Sequence, residues 1–461
     1  MSFINEEAIH STLDDAANTE PARQREALAK ARSGERLTLS DVAALLSIRD
    51  ADLREEVHAA AREVKRAIYG NRLVFFAPLY LTNHCVNNCL YCSFRRDNRA
   101  LVRATLTQDE IRHEVEILLD QGHKRLLLVA GEHPTQSALD YIGESIETVY
   151  SVRRGNNNIR RVNINAAPMS TEDFRTLKSF GIGTYQCFQE TYHRETYAHV
   201  HPSGPKHDYD WRVEVMDRAM EAGIDDVGIG VLFGLADYRF EILAMLEHVR
   251  HLEERFDGVG PHTISIPRLE PAMNAPLDST NSPWTLADED FKTAVAVLRL
   301  AIPYTGMILS TRERPELRRE LFDYGISQIS AGSRTDPGGY HRDTHEYAEQ
   351  FQLGDHRPVR EVVRDVLSLG YIPSFCTACY RSGRTGDRFM SLAKSANIGA
   401  ICTPNALATF EEYLKDFGDE DMRRIAERIV EEEIARMPEP IGRKTREMIE
   451  RTRRGETDVY I

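Results

Sequence analysis

Two groups of three cysteines are the feature of this 461-residue sequence that points most directly to chemistry. The first group has the spacing Cys-x3-Cys-x2-Cys and consists of Cys85, Cys89 and Cys92. The second has the spacing Cys-x2-Cys-x22-Cys and consists of Cys376, Cys379 and Cys402. A total of seven cysteines is sparse and odd for a disulfide scaffold. The pattern therefore predicts metal binding by both groups.

The first group supplies three soft thiolates on one short loop, which suits an iron–sulfur cluster. Three ligands leave one iron of a four-iron cluster open to a small molecule. Zinc is the alternative, but it usually takes four protein ligands, and the candidate fourth ligand His84 directly adjoins Cys85 and is poorly spaced. The remaining cysteine, Cys187, has no partner in the sequence and is predicted to be a small buried apolar residue.

Composition and charge exclude several classes of protein. Hydrophobic residues make up 41% and charged residues 28% of the chain, which is ordinary for a globular protein and excludes disordered and fibrous chains. The net charge of −14 argues against nucleic-acid binding through phosphate neutralisation. The sequence has no long apolar run for a membrane span and no secretory signal at its N-terminus. We expect a cytoplasmic protein without membrane or nucleic-acid partners.

Strand-like and helix-like segments alternate along most of the chain. The predicted strands are 73–81, 125–130, 161–165, 184–188, 226–232, 263–267, 306–310 and 326–331. The predicted helices between and after them include 108–121, 138–153, 208–222, 240–256, 286–302, 314–324 and 358–369. This alternation predicts the α/β class and a (β/α)8 TIM-type barrel. A doubly wound open sheet is the alternative, but eight strands favour closure.

The prediction divides the chain into three parts: an N-terminal helical extension (1–70), the barrel (71–370) and a C-terminal extension (371–461) that contains the second cysteine group. In such a barrel the loops at the carboxyl ends of the strands form the active site. The first cysteine group follows the first predicted strand. Candidate site residues that follow or end other strands are Gly131, Glu132, Glu190, Ser310, Arg312 and Arg334.

The first cysteine group, with Tyr91 before its last cysteine and its place after the first strand, resembles the radical S-adenosylmethionine (SAM) superfamily. The resemblance implies a [4Fe–4S] cluster that binds SAM and reduces it to a 5′-deoxyadenosyl radical. Gly131 and Glu132 occupy the place of the superfamily's Gly-Gly-Glu element, whose backbone binds the SAM amino group; Ala130 replaces its first glycine. Glu190 is expected to contact the SAM ribose or amine. Its alternative is a solvated carboxylate at a helix start.

The second cysteine group resembles the tyrosine lyases of [FeFe]-hydrogenase maturation. Segments 188–193, 260–265, 330–335, 375–390 and 402–405 resemble the same family, and the resemblance covers residues 40–461. The related 2-iminoacetate synthases of the thiamine pathway have the first cysteine group but lack the second. A zinc ribbon that lacks one ligand is the alternative for the second group. For the whole chain, the alternatives are the thiamine-pathway enzyme and a zinc-stabilised scaffold without catalysis.

The resemblance implies a reaction in two stages. The radical abstracts hydrogen from the amino group of L-tyrosine, and cleavage between Cα and Cβ gives p-cresol and dehydroglycine. Dehydroglycine is then converted to carbon monoxide and cyanide at a second, auxiliary [4Fe–4S] cluster. These diatomic ligands assemble on an extra "dangler" iron that a free cysteine holds. An external electron donor and other hydrogenase-maturation proteins are the further expected partners.

Three polar residues and one histidine complete the predicted sites. Arg312 with Ser310 is expected to bind the tyrosine carboxylate, since a guanidinium pairs well with a carboxylate; Arg334 is the second candidate, and a structural ion pair is the alternative for each arginine. His262 precedes the sixth strand, so it belongs at the amino end of the barrel, which the second cysteine group is expected to cap. The family's Gly-Pro-His motif implies that His262 binds the dangler iron; a structural histidine is the alternative.

Overall fold

The computed structural model describes residues 3–341 and 349–461. The chain begins with four helices: Glu6–Ala16 (α1), Pro21–Ser33 (α2), Leu39–Leu46 (α3) and Ala51–Tyr69 (α4). A capping box starts α3, in which Thr38 Oγ1 accepts the Asp41 N–H at 3.1 Å and the Asp41 carboxylate accepts the Thr38 N–H at 2.9 Å. These helices pack on the barrel helices that follow later in the chain.

Within the described residues, eight parallel strands form a closed barrel. They are Arg72–Thr82 (β1), Arg125–Ala130 (β2), Arg161–Asn165 (β3), Tyr185–Gln186 (β4), Val227–Gly230 (β5), Thr263–Ser265 (β6), Gly306–Leu309 (β7) and Gln328–Ser330 (β8). Each strand pairs with the next, and β1 pairs with both β2 and β8. The predicted TIM-type barrel is confirmed, and the β1–β2 pairing rules out an open sheet.

Several strands are shorter than predicted at their carboxyl ends. The fourth is predicted over 184–188, but its ladder covers only Tyr185–Gln186. The chain then turns inward, and Glu190 adopts a φ of 71°. Residues at these ends leave the ladder because they build the site loops.

Helices connect the strands of the barrel. They are Gln108–Asp120 (α5), Leu139–Ser151 (α6), Thr171–Ser179 (α7), Arg194–Val200 (α8), Tyr209–Val213 (α9), Val215–Glu221 (α10), Tyr238–Arg255 (α11), Asp288–Ala301 (α12), Pro315–Tyr324 (α13) and Val359–Ser368 (α14). The single helix predicted over 208–222 is divided at Glu214 into α9 and α10. The last turn of α9 directs Arg212 toward the barrel, where its Nε donates to the Phe188 carbonyl at 2.8 Å.

The C-terminal part begins with a strand that the sequence did not predict. Ile372–Ser374 (β9) pairs in parallel with the first residues of β1. Pro373 lies inside this short segment, and proline argues against a strand unless the strand is at an edge, as β9 is. The helices Ala378–Arg381 (α15), Gly386–Lys394 (α16), Gly399–Phe417 (α17), Glu420–Arg436 (α18) and Glu439–Arg453 (α19) follow. Because β9 joins the amino end of β1, it delivers the second cysteine group to that end of the barrel.

None of the helices found in 3–341 and 349–461 has both the length and the apolar character that a transmembrane span requires.

Candidate functional site

A cavity at the carboxyl ends of the strands, here called the upper cavity, brings most of the predicted site residues together. Those that line it are Cys85, Cys89, Tyr91, Cys92, Gly131, Glu132, Glu190, Ser310 and Arg312. They come from the segments that follow β1, β2, β4 and β7. Parallel strands in a barrel end at one rim, which is why residues far apart in sequence meet here.

The cysteine loop and the loop after β2 lie in close contact. The Val86 N–H donates to the Glu132 carbonyl at 2.8 Å, and the Gly131 N–H donates to the Thr82 carbonyl at 3.1 Å. A Cβ at position 131 would lie only 2.3 Å from the His84 carbonyl oxygen, so glycine is required by this approach. The backbone at 131–132 therefore lies beside the thiols. This position is required of a loop whose main chain binds a ligand of the cluster.

The electrostatics of the three upper thiols fit a cationic cluster. Burial, reinforced by the neighbouring thiols, raises the pKa of Cys89 to about 12 and that of Cys92 to about 11. Burial likewise raises the pKa of Cys85. Three thiolates confined in this space repel one another, and a multivalent metal centre compensates that charge. The donor set therefore fits a [4Fe–4S] cluster.

A single metal ion places different demands on its ligands. Within the described ranges, no three His, Cys, Asp or Glu side chains converge around one ion position. In a four-iron cluster each iron takes its own thiolate, so its ligands need not meet at one point. His84, the candidate fourth zinc ligand, lies outside the upper cavity with its ring 5.7 Å from that of His133.

Glu190 is held by a lysine that the sequence analysis did not identify. Lys206 Nζ donates to Glu190 Oε1 at 2.8 Å, and both side chains are largely buried. Burial opposes ionisation of the carboxyl group, but Lys206 and Arg212 outweigh it and hold the pKa of Glu190 below its ordinary value. The left-handed backbone of Glu190 is unusual for a residue with a side chain and is typical of functional positions. The solvated-carboxylate alternative is thus wrong, while contact with SAM stays a prediction.

Arg312 presents a partly buried cation to the upper cavity. Its guanidinium stacks on the Phe351 ring at 3.3 Å from the centroid, and no carboxylate in the described part of the chain forms a salt bridge with it. Burial lowers the pKa of Arg312. A half-buried guanidinium without a carboxylate partner suits an anionic ligand. Ser310 Oγ lies 3.4 Å from the Arg312 amide nitrogen at the same rim.

Three other predicted residues lie in different settings. Arg334 does not line the upper cavity as described, although Ser333 and Thr335 on either side of it do. Tyr91 is buried, and its hydroxyl lies 2.7 Å from His201 Nε2. Cys187 is buried in the main apolar core, as expected for a small apolar residue.

A second cavity lies at the amino ends of the strands and is here called the lower cavity. Among its lining residues are Cys376, Cys379, Cys402, His262, Arg125 and Tyr380. The Cys379 thiol is hydrogen-bonded to Cys402, which lowers the pKa of Cys402, whereas burial raises the pKa of Cys376. The second cysteine group thus converges on the cavity where His262 lies. Metal binding by these four residues stays a prediction.

His262 is oriented by groups on both sides of its ring. Nδ1 lies 3.5 Å from the Asp226 carboxylate, and Nε2 lies 3.4 Å from the Tyr380 hydroxyl. Burial lowers the pKa of His262 against the opposing effect of Asp226, which favours the neutral imidazole that binds metals. A carboxylate behind one ring nitrogen is the usual arrangement behind a metal-binding histidine.

The two cavities share the barrel interior. The upper cavity is lined by Phe76, Leu127 and Ile308, which pack together. The lower cavity is lined by the residues two positions earlier on the same strands, Val74, Arg125 and Gly306. Residues two apart on a strand face the same side, so adjacent layers of inward side chains border the two cavities.

Several residues that line the cavities were not predicted from the sequence. Lys206, Arg212 and Gln350 line the upper cavity, and Arg125 lines the lower one. Lys206 lies two residues after Gly204, whose φ is 95°, and no sequence motif includes Lys206. Lys206 and Gln350 lie in connecting segments, Arg212 on the short helix α9 and Arg125 at a strand start, and no motif in the local sequence distinguishes them.

Comparison with known families gives two matches along the chain. Residues 79–249 match the radical SAM superfamily, and residues 265–372 match the biotin and thiamin synthesis associated domain. The first match contains the upper cysteine group. The second contains β7, β8 and Arg312.

Individual relatives cover more of the chain. The 2-iminoacetate synthase of Salmonella typhimurium is 34% identical over 346 residues, which are 75% of this chain and 88% of that protein. A crystal structure of HydG, a maturase of the [FeFe]-hydrogenase, is 50% identical with a TM-score of 0.96 and covers 100% of both chains. HydG from Carboxydothermus hydrogenoformans is 41% identical with a TM-score of 0.84, over 96% of this chain and 97% of that one. The chain is therefore a radical SAM enzyme and belongs to the family that includes 2-iminoacetate synthase and the HydG maturases.

Proposed function

We propose that this enzyme is a tyrosine lyase of [FeFe]-hydrogenase maturation. It cleaves L-tyrosine between Cα and Cβ to p-cresol and dehydroglycine in the upper cavity. It then converts dehydroglycine to carbon monoxide and cyanide in the lower cavity, for an Fe(CO)(CN) unit of the hydrogenase H-cluster. The observation that carries the proposal is the position of the second cysteine group. It lines the lower cavity together with His262, at the end of the barrel opposite the first cysteine group.

Residues of the upper cavity bind the cofactor and the substrate. When bound, the first [4Fe–4S] cluster and SAM supply the one-electron reduction and the hydrogen abstraction that start the reaction. Cys85, Cys89 and Cys92 would hold the cluster. The backbone at Gly131 and Glu132 lies where it can accept hydrogen bonds from the SAM amino group.

Arg312 and Glu190 give the upper cavity two partly buried charges of opposite sign. The Arg312 guanidinium, which has Phe351 behind it, would bind the tyrosine carboxylate and hold the amino group near the abstraction site. Glu190, positioned by Lys206, would accept a hydrogen bond from the SAM ribose or amine.

Residues of the lower cavity suit the second stage. Cys376, Cys379 and Cys402 would hold the auxiliary [4Fe–4S] cluster, and His262 would bind the dangler iron that a free cysteine also holds. That iron supplies a binding place for carbon monoxide and cyanide. Asp226 would keep His262 Nδ1 protonated and leave Nε2 for the metal. An external electron donor and other hydrogenase-maturation proteins would be the partners.

The thiamine-pathway 2-iminoacetate synthase is the second candidate function, and the 34% identity to the Salmonella typhimurium enzyme supports it. It requires only the upper cavity. The second cysteine group and the full-length similarity to HydG favour the maturation enzyme. Membership of an enzyme family argues against the zinc-stabilised scaffold.

Anaerobic reconstitution tests the proposal directly. The protein is loaded with iron and sulfide and incubated with SAM, L-tyrosine and dithionite. We expect about eight to nine irons per chain, because the proposal requires two four-iron clusters and one further iron. The products should be p-cresol, cyanide and carbon monoxide. Formation of p-cresol without carbon monoxide would favour the thiamine-pathway function.

The negative control replaces Cys85, Cys89 and Cys92 by alanine together. Without these thiolates no cluster reduces the sulfonium, so neither 5′-deoxyadenosine nor p-cresol should form. Appreciable 5′-deoxyadenosine from this variant would overturn the assignment of the first cluster.

A further inference from the structure

The segment after β8 is fastened to the first cysteine loop by backbone hydrogen bonds. The Ser93 N–H donates to the Gln350 carbonyl at 3.2 Å, and Ser93 Oγ donates to the Glu349 carbonyl at 2.6 Å. The Gln350 N–H in turn donates to the Thr335 carbonyl at 3.0 Å. The main chain at Gln350 is therefore held against the loop without any help from its side chain.

The side chain of Gln350 points at a sulfur of the first cysteine group. Tyr80 donates its hydroxyl hydrogen to Gln350 Oε1 at 2.7 Å, which fixes the orientation of the amide. The amide nitrogen, Nε2, then lies 3.7 Å from Cys92 Sγ, within hydrogen-bonding distance of the large sulfur atom. Tyr80 is itself buried, so this arrangement is sheltered from water.

We propose that the Gln350 amide donates to the Cys92 sulfur when the first cluster is bound and raises the reduction potential of that cluster. The inference rests on the proposed function only for the cluster at Cys85, Cys89 and Cys92. Reduction adds one electron, supplied by an external donor, and the added negative charge is shared by the sulfurs. A hydrogen-bond donor stabilises the reduced form more than the oxidised form. Gln350 is thus a positioning residue that makes the cluster easier to reduce.

The neighbouring sulfurs show why the side chain matters. Cys85 accepts backbone N–H groups from Asn87 and Glu132, and Cys92 accepts one from Phe94. Backbone donors remain after almost any substitution. The Gln350 amide is a side-chain donor, so its effect on the potential can be removed while the rest of the loop stays in place.

The test is a redox titration of the full-length chain. Gln350→Leu and Gln350→Glu are made in a background with Cys376→Ala and Cys379→Ala, so that the first cluster alone contributes to the electron paramagnetic resonance signal. Loss of one hydrogen bond should lower the ratio of reduced to oxidised cluster about tenfold at a fixed potential, a shift of about 59 mV to more negative values. Gln350→Glu should shift the potential further in the same direction, because a carboxylate faces the thiolate.

Gln352→Leu is the matched control, because Gln352 is an exposed amide on the same segment and its backbone N–H bonds the Pro271 carbonyl. Its potential should equal that of the unsubstituted background. A Gln350→Leu variant with full iron content and an unchanged potential would overturn the proposal. If that variant binds no cluster, Gln350→Glu decides by the same criterion. Loss of the cluster in both variants would also overturn it, because Gln350 would then support the loop.

The potential is measured without substrate, so this outcome is separate from that of the lyase assay. A chain that forms no p-cresol but shows the expected shifts would contradict the proposed function and leave this inference intact.

Discussion

At the scale of single residues, His262 links the structure most closely to the second stage of the proposed reaction. Its ring lies in the lower cavity between Asp226 and Tyr380. We expect His262→Ala to leave SAM cleavage and p-cresol formation intact, because the upper cavity contains no part of this residue. The variant should lose most of the extra iron and yield little Fe(CO)(CN) unit. Iron content and carbon monoxide per p-cresol measure the effect.

His356→Ala serves as the control for His262→Ala, since His356 is exposed on the segment before α14 and should change neither quantity. A His262→Ala variant that loses p-cresol but keeps full carbon monoxide per p-cresol would place His262 in the substrate site instead.

At the scale of elements, α11 supports the loop that contains Glu190. Glu241 on this helix is fully buried, accepts the Tyr192 N–H at 2.9 Å and is hydrogen-bonded to Thr191. Burial raises the pKa of Glu241 from its ordinary value of 4.5 to about 8. The folded state therefore favours the protonated acid, and stability should fall as pH rises from about 4.5 to about 8.

Glu241→Gln removes this titration while keeping a side chain of the same shape. Between pH 6 and 8 the parent protein should lose roughly 2–3 kcal/mol of unfolding free energy relative to the variant. The measurement is the melting temperature of both proteins at each pH. Equal pH dependence in the two would show that Glu241 does not titrate in this range.

A second element-scale prediction concerns the attachment of α17 to the barrel. Glu412 on α17 accepts from Arg160 Nη1 at 3.0 Å, with Lys124 Nζ at 3.6 Å, and the Arg160 and Glu412 side chains are only 3% and 5% exposed. Glu412→Ala removes the carboxylate that both buried cations share and leaves Arg160 with Asp458 at 3.4 Å, so it should destabilise the protein by about 3 kcal/mol. Thermal unfolding measures the loss.

Because α17 also contains Cys402, Glu412→Ala should weaken iron binding at the second cysteine group. Glu432→Ala on α18 removes an exposed carboxylate and should change stability by less than about 0.5 kcal/mol. If the Glu412 and Glu432 variants have the same melting temperature, the Arg160–Glu412 pair contributes nothing to the attachment of α17.

At the scale of the whole molecule, the two cavities occupy opposite ends of one barrel. Replacing Cys376 and Cys379 by alanine should remove the second cluster and leave the barrel folded, because the upper cavity is built from the strands' carboxyl-end loops. Tyrosine cleavage should continue, although it can be slower than in the parent. Carbon monoxide should no longer form, because no iron remains in the lower cavity. Part of the cyanide should persist, since free dehydroglycine decomposes in solution. The measurement is the ratio of carbon monoxide to p-cresol in one sample.

Cys187→Ala is the matched control for the cysteine pair, because Cys187 is buried in the core and its own side chain lines neither cavity. Its carbon monoxide to p-cresol ratio should equal that of the parent. If the Cys376 and Cys379 variant also keeps the parent ratio, the second cysteine group is structural, and the thiamine-pathway function replaces the proposed one.

The barrel and its family were predictable because the patterns that indicate them lie within short stretches of the sequence. Apolar strand segments alternate with amphipathic helices, and this alternation is written within short windows of the chain. The Cys85, Cys89 and Cys92 spacing lies within one loop, so it too was visible without a structure. The rim position of Arg312 followed from the rule that the carboxyl ends of parallel strands meet.

Contacts between distant segments were not predictable, because their energy depends on pairs that only folding brings together. Lys206 meets Glu190, Gln350 meets Cys92, and Arg160 meets Glu412 across 252 positions of the chain. The edge strand β9 was missed because its stability comes from the ladder with β1 and not from the strand propensity of a segment with Pro373. Amino-acid patterns thus specified the barrel and the two thiol groups, whereas long-range packing and burial set the charges and hydrogen bonds around them.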